Sequence, residues 1–365
     1  MTLTLDMSPT LINRTAVFNI CNDIARIFAD VDPWLYYFGV TVKQAPVAEE
    51  ADTLKGILFQ ALSMAGEGRF DESRLNFGNV LRPSRKNGER RFFIDPLYIL
   101  FSDLYPTDIV TVLDVSTVTQ PEWHSPAVAA LYAKAFEKLC QVQPKVITIS
   151  DNTAYTFYAN YGFPLDRMRT VHLYSPGHLR DGLGAPPLHA VKPYFLFVGS
   201  LEARKNILGA MHAFRCSGLH ERGYQLLVVG GRGHGAPEIT QLAENTPGVT
   251  LYGYASNEDL CSIYAGATGF LYPSYLEGFG VPLLEAMMYG VPSIASTTGA
   301  CPEVGGPHVA YCDPDDHEGM AEAMLHIAAM GPQARAALAA NMRGWVNDRF
   351  SFDAFAANIR DAVLG

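Results

Sequence analysis

Two glutamates, Glu277 and Glu285, close the ends of the stretch EGFGVPLLE, and an Arg204-Lys205 pair stands upstream in VGSLEARKN. A carboxylate accepts two hydrogen bonds at once, so it suits a vicinal diol such as a ribose or a sugar ring better than a neutral side chain does. Adjacent cations where a helix begins are electrostatically unfavourable, because that end of the dipole prefers acids. Something negative must offset them. A diphosphate fits, with the guanidinium giving a fork and the ammonium a point charge. Pairing with Glu202, or with an acid from elsewhere in the fold, is the alternative. The glycines of GFG let backbone approach a ligand closely, and Pro282 suits the first turn of a helix. Amides from Phe279 through Gly280 to Val281 are therefore expected to face the same anion. Glu285 could simply cap that helix from its first turn, but beside the Arg-Lys turn the diol reading is ahead.

These residues need elements to hold them. At 365 residues the chain exceeds one comfortable core, so two domains are expected. Short β-rich runs alternate with amphipathic helical runs, the mark of parallel α/β architecture. LTLDMS, YYFGVTV, DIVTVLDVS, KVITIS and RTVHLYS read as strands of a first domain, and residues 44–107 read as less regular. PGHLRDGLGAPPLHAVKP, residues 176–193, is rich in Pro and Gly and reads as the linker. The alternation then restarts with YFLFVGS. The expected fold is α/β, two doubly wound Rossmann-like domains over residues 1–187 and 188–349. Ligands of such sheets bind at the carboxyl ends of strands, which puts the chemistry in a central cleft between the domains.

Composition narrows the function. A formal charge of −10 argues against a general nucleic-acid binder. No run of 18 or more uncharged apolar residues is present, and MTLTLDMSP lacks the pattern of a secretory signal. Six scattered cysteines without a C-x-x-C pair read as buried thiols of a cytoplasmic protein. One stretch departs from the acidic trend: RPSRKNGERR, residues 82–91, carries five basic residues against one acid. It reads as a solvated loop or as a patch for anionic headgroups on the inner membrane face. With the apolar run WLYYF (34–38), it raises the possibility of a lipid-linked acceptor and peripheral membrane contact.

EGFGVPLLE, VGSLEARKN, TTGACPEVGG and the DPDD that follows together resemble the family-4 retaining glycosyltransferases of the GT-B fold. The likeness is closest to bacterial members that build polysaccharides, many of which use GDP-mannose. It is strong over residues 194–330, weaker from 108 to 175, and rests on element order elsewhere. The resemblance implies a nucleotide-sugar donor and a saccharide acceptor, and a last helix (FDAFAANIRDAVL, within 350–365) packed back on the first domain; with cations already present for the diphosphate, no metal or other cofactor is expected. It implies that Arg204 and Lys205 bind the donor diphosphate, that Glu285 holds the ribose, and that Glu277 lies against the transferred sugar. Glu277, Arg204 and Lys205 form the expected catalytic set. Gly199, Ser200, Tyr254, Ala255, Phe279, Gly280 and Val281 are the further donor-side residues.

Two departures from the family pattern bear on specificity. That pattern has His-Asp at the end of a first-domain strand, with the histidine toward O6 of the donor sugar; here Leu113 precedes Asp114. An apolar residue at that place points to a donor without an O6 hydroxyl, such as a 6-deoxyhexose. The usual glycine-rich loop after the first strand is also absent, and SPTLINRTAV offers Asn13 and Arg14 instead, with Asp114 as a third acceptor-side residue.

Other motifs carry less. DPDD (Asp313 to Asp316) is better explained by helix N-capping than by a metal site. GGRGHG, residues 230–235, is not a dinucleotide fingerprint and follows the wrong strand. His124, in QPEWHSP, reads as a lone histidine, structural or acceptor-side. A nucleotide-sugar epimerase and a non-catalytic sugar-nucleotide-binding subunit remain open alternatives.

Overall fold

A computed structural model of the chain describes residues 2–12, 16–76, 85, 87–188, 192–233 and 235–365. Two compact bodies are formed, Met1–Val171 with Ala356–Gly365, and His172–Phe355. Asn13, Arg14 and Lys86 lie outside the described residues.

The first body is built on seven strands: β1 (Thr2–Asp6), β2 (Trp34–Tyr37), β3 (Val40–Val42), β4 (Glu89–Phe93), β5 (Ile109–Val112), β6 (Lys145–Thr148) and β7 (Met168–Thr170), in the order β3-β2-β1-β4-β5-β6-β7. All neighbours are parallel except β2 and β3. YYFGVTV is therefore not one strand but two. Phe38 and Gly39 both take left-handed backbone (φ 43° and 95°), which reverses the chain in a two-residue hairpin turn.

The irregular stretch 44–107 holds a helix, Ala48–Gly66, and the strand β4. Charge hides β4 in the sequence. Its ERRFF places Glu89 and Arg91 inside, where they pair with each other at 2.7 Å, and Arg91 also donates to Ser102 Oγ at 2.6 Å. Arg85 is held by Asp108 and stacks over Tyr105 at 4.2 Å, and Arg90 donates to Val363 O at 2.6 Å. These three arginines are thus structural, and the headgroup reading loses them. Tyr36, Tyr37 and Phe38 of WLYYF are buried in the same way.

The second body has six parallel strands: β8 (Tyr194–Val198), β9 (Gln225–Val229), β10 (Val249–Gly253), β11 (Gly269–Tyr272), β12 (Ser293–Ser296) and β13 (Ala310–Cys312), in the order β10-β9-β8-β11-β12-β13. Near-continuous apolar strands such as YFLF and LLVV are buried on both faces by helices, as parallel sheets require. Phe195, Phe197, Met211, Phe214, Leu226, Val228 and Met324 belong to that core.

The expected boundary at residue 187 falls inside this body. The Pro/Gly stretch is anchored there: Leu179 is fully buried, its carbonyl accepts from Tyr289 Oη at 3.0 Å, and Leu188 N donates to Ser262 O at 2.8 Å. The helix Phe352–Leu364 gives its residues from Ala356 onward to the first body. Arg360 forks onto Asp30 at 2.7 and 2.8 Å, and Asp361 meets Arg169 at 2.6 Å. Among the described residues no helix is long and apolar enough to cross a membrane. All six cysteines are free; Cys21, Cys261 and Cys301 are buried, whereas Cys216 is exposed, contrary to the expectation that all are buried.

Candidate functional site

The carboxyl ends of β8 and β11 bring the Arg-Lys turn to Glu277. Beyond β8 the chain runs through Gly199, Ser200 and Leu201 into a single 3-10 turn, Ala203–Lys205, and only then into the helix Ile207–Cys216. Arg204 and Lys205 thus precede the helix instead of opening it. Asn206 is its cap, in left-handed backbone (φ 52°), with Oδ1 accepting from Gly209 N at 3.1 Å. The Asn206 amide donates to Pro273 O at 3.1 Å and Pro314 O at 2.7 Å, which ties this turn to the loops after β11 and β13.

Lys205 is 8% exposed and Glu277 7%. Lys205 Nζ lies 3.0 Å from Glu277 Oε1, and Arg204 Nη1 lies 3.2 Å from Glu277 Oε2. Ser274 Oγ donates to the same Oε1 at 2.9 Å. Burial alone would raise the Glu277 carboxyl; the charges of Lys205 and Arg204 and the bonds from Lys205 and Ser274 outweigh it and hold the group at about 2. Arg204 also donates to Leu276 O at 2.7 Å and pairs with Glu202 at 3.4 Å, while Ser200 Oγ donates to Glu202 Oε1 at 2.5 Å. The negative partner demanded by the sequence is therefore inside the protein: Glu277, with Glu202 beside it.

Glycines set this geometry. A Cβ at Gly199 would stand 2.8 Å from Lys205 Cδ, and one at Gly299, of TTGACPEVGG, would stand 2.8 Å from both the N and O of Glu277. Gly299 also has left-handed backbone (φ 60°), and Ala300 N donates to Glu277 O at 3.0 Å. Gly230 approaches the Gly199 carbonyl so closely that any side chain there would collide. That gives Gly230, the first glycine of GGRGHG, a packing role.

Gly280 (φ 100°) is the N-cap of the helix Val281–Met288, so the Val281 amide starts a helix with no intrahelical acceptor. Glu285 lies past the first turn, which has no acid, so the capping reading fails. It is buried, accepts from Tyr264 Oη at 2.8 Å, and is raised by burial to about 7. The Phe279 side chain is core: it is 2% exposed and packs edge-on against Phe350 with centroids 5.5 Å apart, with the His172 ring 6.2 Å away. Tyr254 follows β10 and is 77% exposed, with Ala255 partly exposed beside it. The capping explanation of DPDD holds, since Asp316 Oδ1 accepts from Gly319 N at 2.8 Å.

Sequence reading missed Ser274, Tyr264 and Tyr272. Lys205 Nζ is 3.5 Å from Tyr272 Oη and 5.5 Å from its ring centroid. Nothing in the sequence marks these tyrosines, because a strand or helix core uses them as freely as a site does. His172, whose Nε2 meets Glu303 Oε1 at 2.5 Å, was missed as well. In the first body Asp114 stands just past β5, and its Oδ1 accepts from Ser116 N at 2.9 Å. His124 is not alone: its Nε2 is 3.0 Å from Ser116 Oγ.

The second body thus gathers two cations, a buried carboxylate held ionised, and a second carboxylate poised near neutrality. Such a set can bind an anion and a polyhydroxyl group side by side.

Residues 192–330 match the family model described as Glycosyl transferases group 1. O-antigen chain mannosyltransferase B of Escherichia coli is 29% identical over 320 residues, 78% of this chain and 84% of that protein. O-antigen chain mannosyltransferase RfbU of Salmonella typhimurium is 33% identical over 138 residues, 37% of this chain and 38% of that protein. Among solved structures, sucrose-phosphate synthase of Thermosynechococcus elongatus aligns with a TM-score of 0.68 at 19% identity, covering 99% of this chain and 98% of that one. WaaG, a glycosyltransferase involved in lipopolysaccharide biosynthesis, gives 0.65 at 16% identity over 100% of both chains. Residues 192–330 therefore form a glycosyl transferases group 1 domain, within a chain of the GT-B glycosyltransferase fold.

Proposed function

We propose that this glycosyltransferase moves a hexosyl group from a nucleoside-diphosphate sugar to a saccharide acceptor in the building of a surface polysaccharide, with retained anomeric configuration and without a metal. The observation that carries the reading is the Arg204–Lys205–Glu277 cluster at the carboxyl edge of the second sheet, with buried Glu285 on the following helix. The names of the O-antigen mannosyltransferase relatives make GDP-mannose the first donor to try. Leu113 keeps a 6-deoxy sugar on GDP, UDP or dTDP in the panel. A lipid anchor on the acceptor draws no support from Arg85, Arg90 and Arg91, which are paired, or from Tyr36, Tyr37 and Phe38, which are buried in the first body.

The chemical difficulty is charge. As the bond from the anomeric carbon to the phosphate oxygen breaks, the diphosphate gains negative charge and the ring becomes oxocarbenium-like. Arg204, Lys205 and the amide at Val281 would stabilise the leaving group, and Glu277 would face the ring. Loss of one such preorganised contact typically costs ~3 kcal/mol, or ~100-fold in rate. The acceptor oxygen bonds to the same face of the anomeric carbon, and its proton passes to the departing phosphate oxygen.

The test is transfer from GDP-mannose and the other donors to a mannoside primer, with the new linkage read by NMR. A product with the donor's anomeric configuration, formed equally in EDTA, is expected. An inverted product, a rate abolished by EDTA, or release of an isomeric nucleotide sugar without transfer would contradict the proposal.

A further inference from the structure

The two oxygens of Glu285 have different surroundings. The residue is 7% exposed, and Tyr264, from the helix Asn257–Gly266, is fully buried beside it. Tyr264 Oη has one proton and two acceptors in reach, Glu285 Oε2 at 2.8 Å and Pro282 O at 3.4 Å. The shorter bond, to the carboxyl, takes the proton. Burial and the facing carboxyl push the Tyr264 hydroxyl well above its ordinary range, so it stays a donor through neutral pH.

The hydroxyl is fixed through its ring. Tyr264 stacks on Tyr289 with centroids 5.6 Å apart and 24° between the planes, and leans on Phe270 at 6.0 Å. Tyr289 Oη is tied in turn to Leu179 O at 3.0 Å. Gly182 lies so close to Cys261 and Tyr289 that a side chain there would collide with Cys261 Sγ. The Pro/Gly stretch therefore braces the stacked tyrosines, and Tyr264 holds one oxygen of Glu285.

The other oxygen is open. Among the described residues Glu285 Oε1 has no hydrogen bond, yet it is not one of the enclosed polar atoms, so it reaches solvent. No cation among the described residues is paired with the carboxyl; Tyr264 and Tyr289 face it, with Cys261 against Tyr289. Because Oε2 accepts from Tyr264, the carboxyl's own proton belongs on Oε1. Neutral, the group offers a ligand one donor; ionised, it offers lone pairs that the hydroxyls of a vicinal diol can fill. Burial raises the carboxyl to about 7 while the Tyr264 bond pulls it down, so Tyr264 helps to set the pH at which one form replaces the other.

We propose that Tyr264 is the positioning residue of the nucleoside site: it commits one oxygen of Glu285 and leaves the other aimed at a ribose diol. The inference rests on the nucleotide-sugar reading and names the residue that makes Glu285 competent within it. Tyr264 acts only through the carboxyl and touches no substrate.

Calorimetric titrations with GDP, and with UDP if GDP does not bind, test it between pH 6 and pH 8 on the native chain, Tyr264→Phe, Glu285→Gln and the double variant. Tyr264→Phe removes one hydroxyl and keeps the stacked ring. The nucleotide is expected to bind it about fivefold more weakly at pH 7, the usual effect of one hydrogen bond. The midpoint of the pH dependence should move to higher pH, because the bond that lowers the Glu285 carboxyl is gone. A merely structural role would not move that midpoint. In the Glu285→Gln background the same substitution should change affinity by at most about twofold, as expected if the hydroxyl acts through the carboxyl. If Tyr264→Phe fails to fold, Tyr289→Phe, which frees the Leu179 end of the stack, takes its place and should move the midpoint the same way by less. An unmoved midpoint in the variant that folds, or an equal loss of affinity in the Glu285→Gln background, overturns the inference and leaves the donor site standing. Failure of both nucleotides to bind the native chain overturns the donor reading, and this inference with it.

Discussion

Lys205 Nζ and Glu277 Oε1 are 3.0 Å apart and both residues are buried, although 72 positions separate them in the chain. With Arg204 on the other carboxylate oxygen and Glu202 beside it, two cations meet two acids. The unliganded cluster is close to neutral, so Glu277 offsets charge that a diphosphate would otherwise meet.

Glu277→Gln should therefore separate binding from turnover. Removing one negative charge next to Arg204 and Lys205 is expected to tighten GDP about tenfold, the effect of ~1.4 kcal/mol. Transfer should slow about 100-fold as the contact to the ring is weakened. Calorimetric titration with GDP and initial rates on the same variant check both; weaker GDP binding would show that Glu277 orders the cations more than it competes with the ligand.

Lys205→Met asks what the pair does for the fold. Breaking a buried pair by removing one partner typically costs 3–5 kcal/mol. Arg204 and Ser274 still hold Glu277, so a loss of ~2 kcal/mol in denaturant unfolding is expected here. The Glu277 carboxyl, held at about 2 against an ordinary 4.5, contributes stability that is present above pH 4.5 and is lost as pH falls toward 2. In Lys205→Met that loss should be smaller and should end at a higher pH, because its onset is set by the unfolded carboxyl.

Glu285 has the opposite sign. Its folded value of about 7 lies above the ordinary 4.5, so the folded state holds the proton longer, and stability falls as pH rises from 4.5 to 7. Glu285→Gln should flatten that fall. Nucleoside affinity should rise through pH 7 as the carboxylate forms to accept a diol, and the variant should lose this dependence. GDP titrations at pH 6 and pH 8 read it directly.

Much of this arrangement was legible in the sequence, and the residues say why. Arg204, Lys205, Glu277 and Glu285 stand out because charge in an apolar setting needs a partner. Strands β8, β9 and β11 of the second body stand out because burial on both faces leaves near-continuous apolar runs. What stayed hidden was long-range. Glu277 as the partner of both cations depends on β8 and β11 lying side by side, a pairing that local patterns do not encode. β4 was obscured because its buried Glu89 and Arg91 neutralise each other, and the tether from His124 to Asp114 runs through a serine with no signature of its own.

Gly299→Ala tests a positioning role for TTGACPEVGG. The new Cβ would press on the Glu277 backbone at 2.8 Å, and the left-handed φ of 60° adds strain. A loss of 1–3 kcal/mol in stability is typical of such strain, and a fall in kcat larger than the change in KM is expected. An unperturbed kcat would mean that the loop tolerates displacement of Glu277.

Leu113→His addresses the donor. If the apolar side chain past β5 favours a sugar without an O6 hydroxyl, the imidazole should raise kcat/KM for GDP-mannose relative to its 6-deoxy analogue. An unchanged ratio would remove Leu113 from donor selection.

The central claim is that Arg204 and Lys205 receive a pyrophosphate beside Glu285. Calorimetric titration of the native chain and of Lys205→Met with GDP and UDP tests it most directly. At least one nucleotide should bind the native chain, with affinity reduced tenfold or more in Lys205→Met, as loss of ~1.4 kcal/mol or more requires. Binding of neither nucleotide, or equal affinity for native and variant proteins, would contradict it.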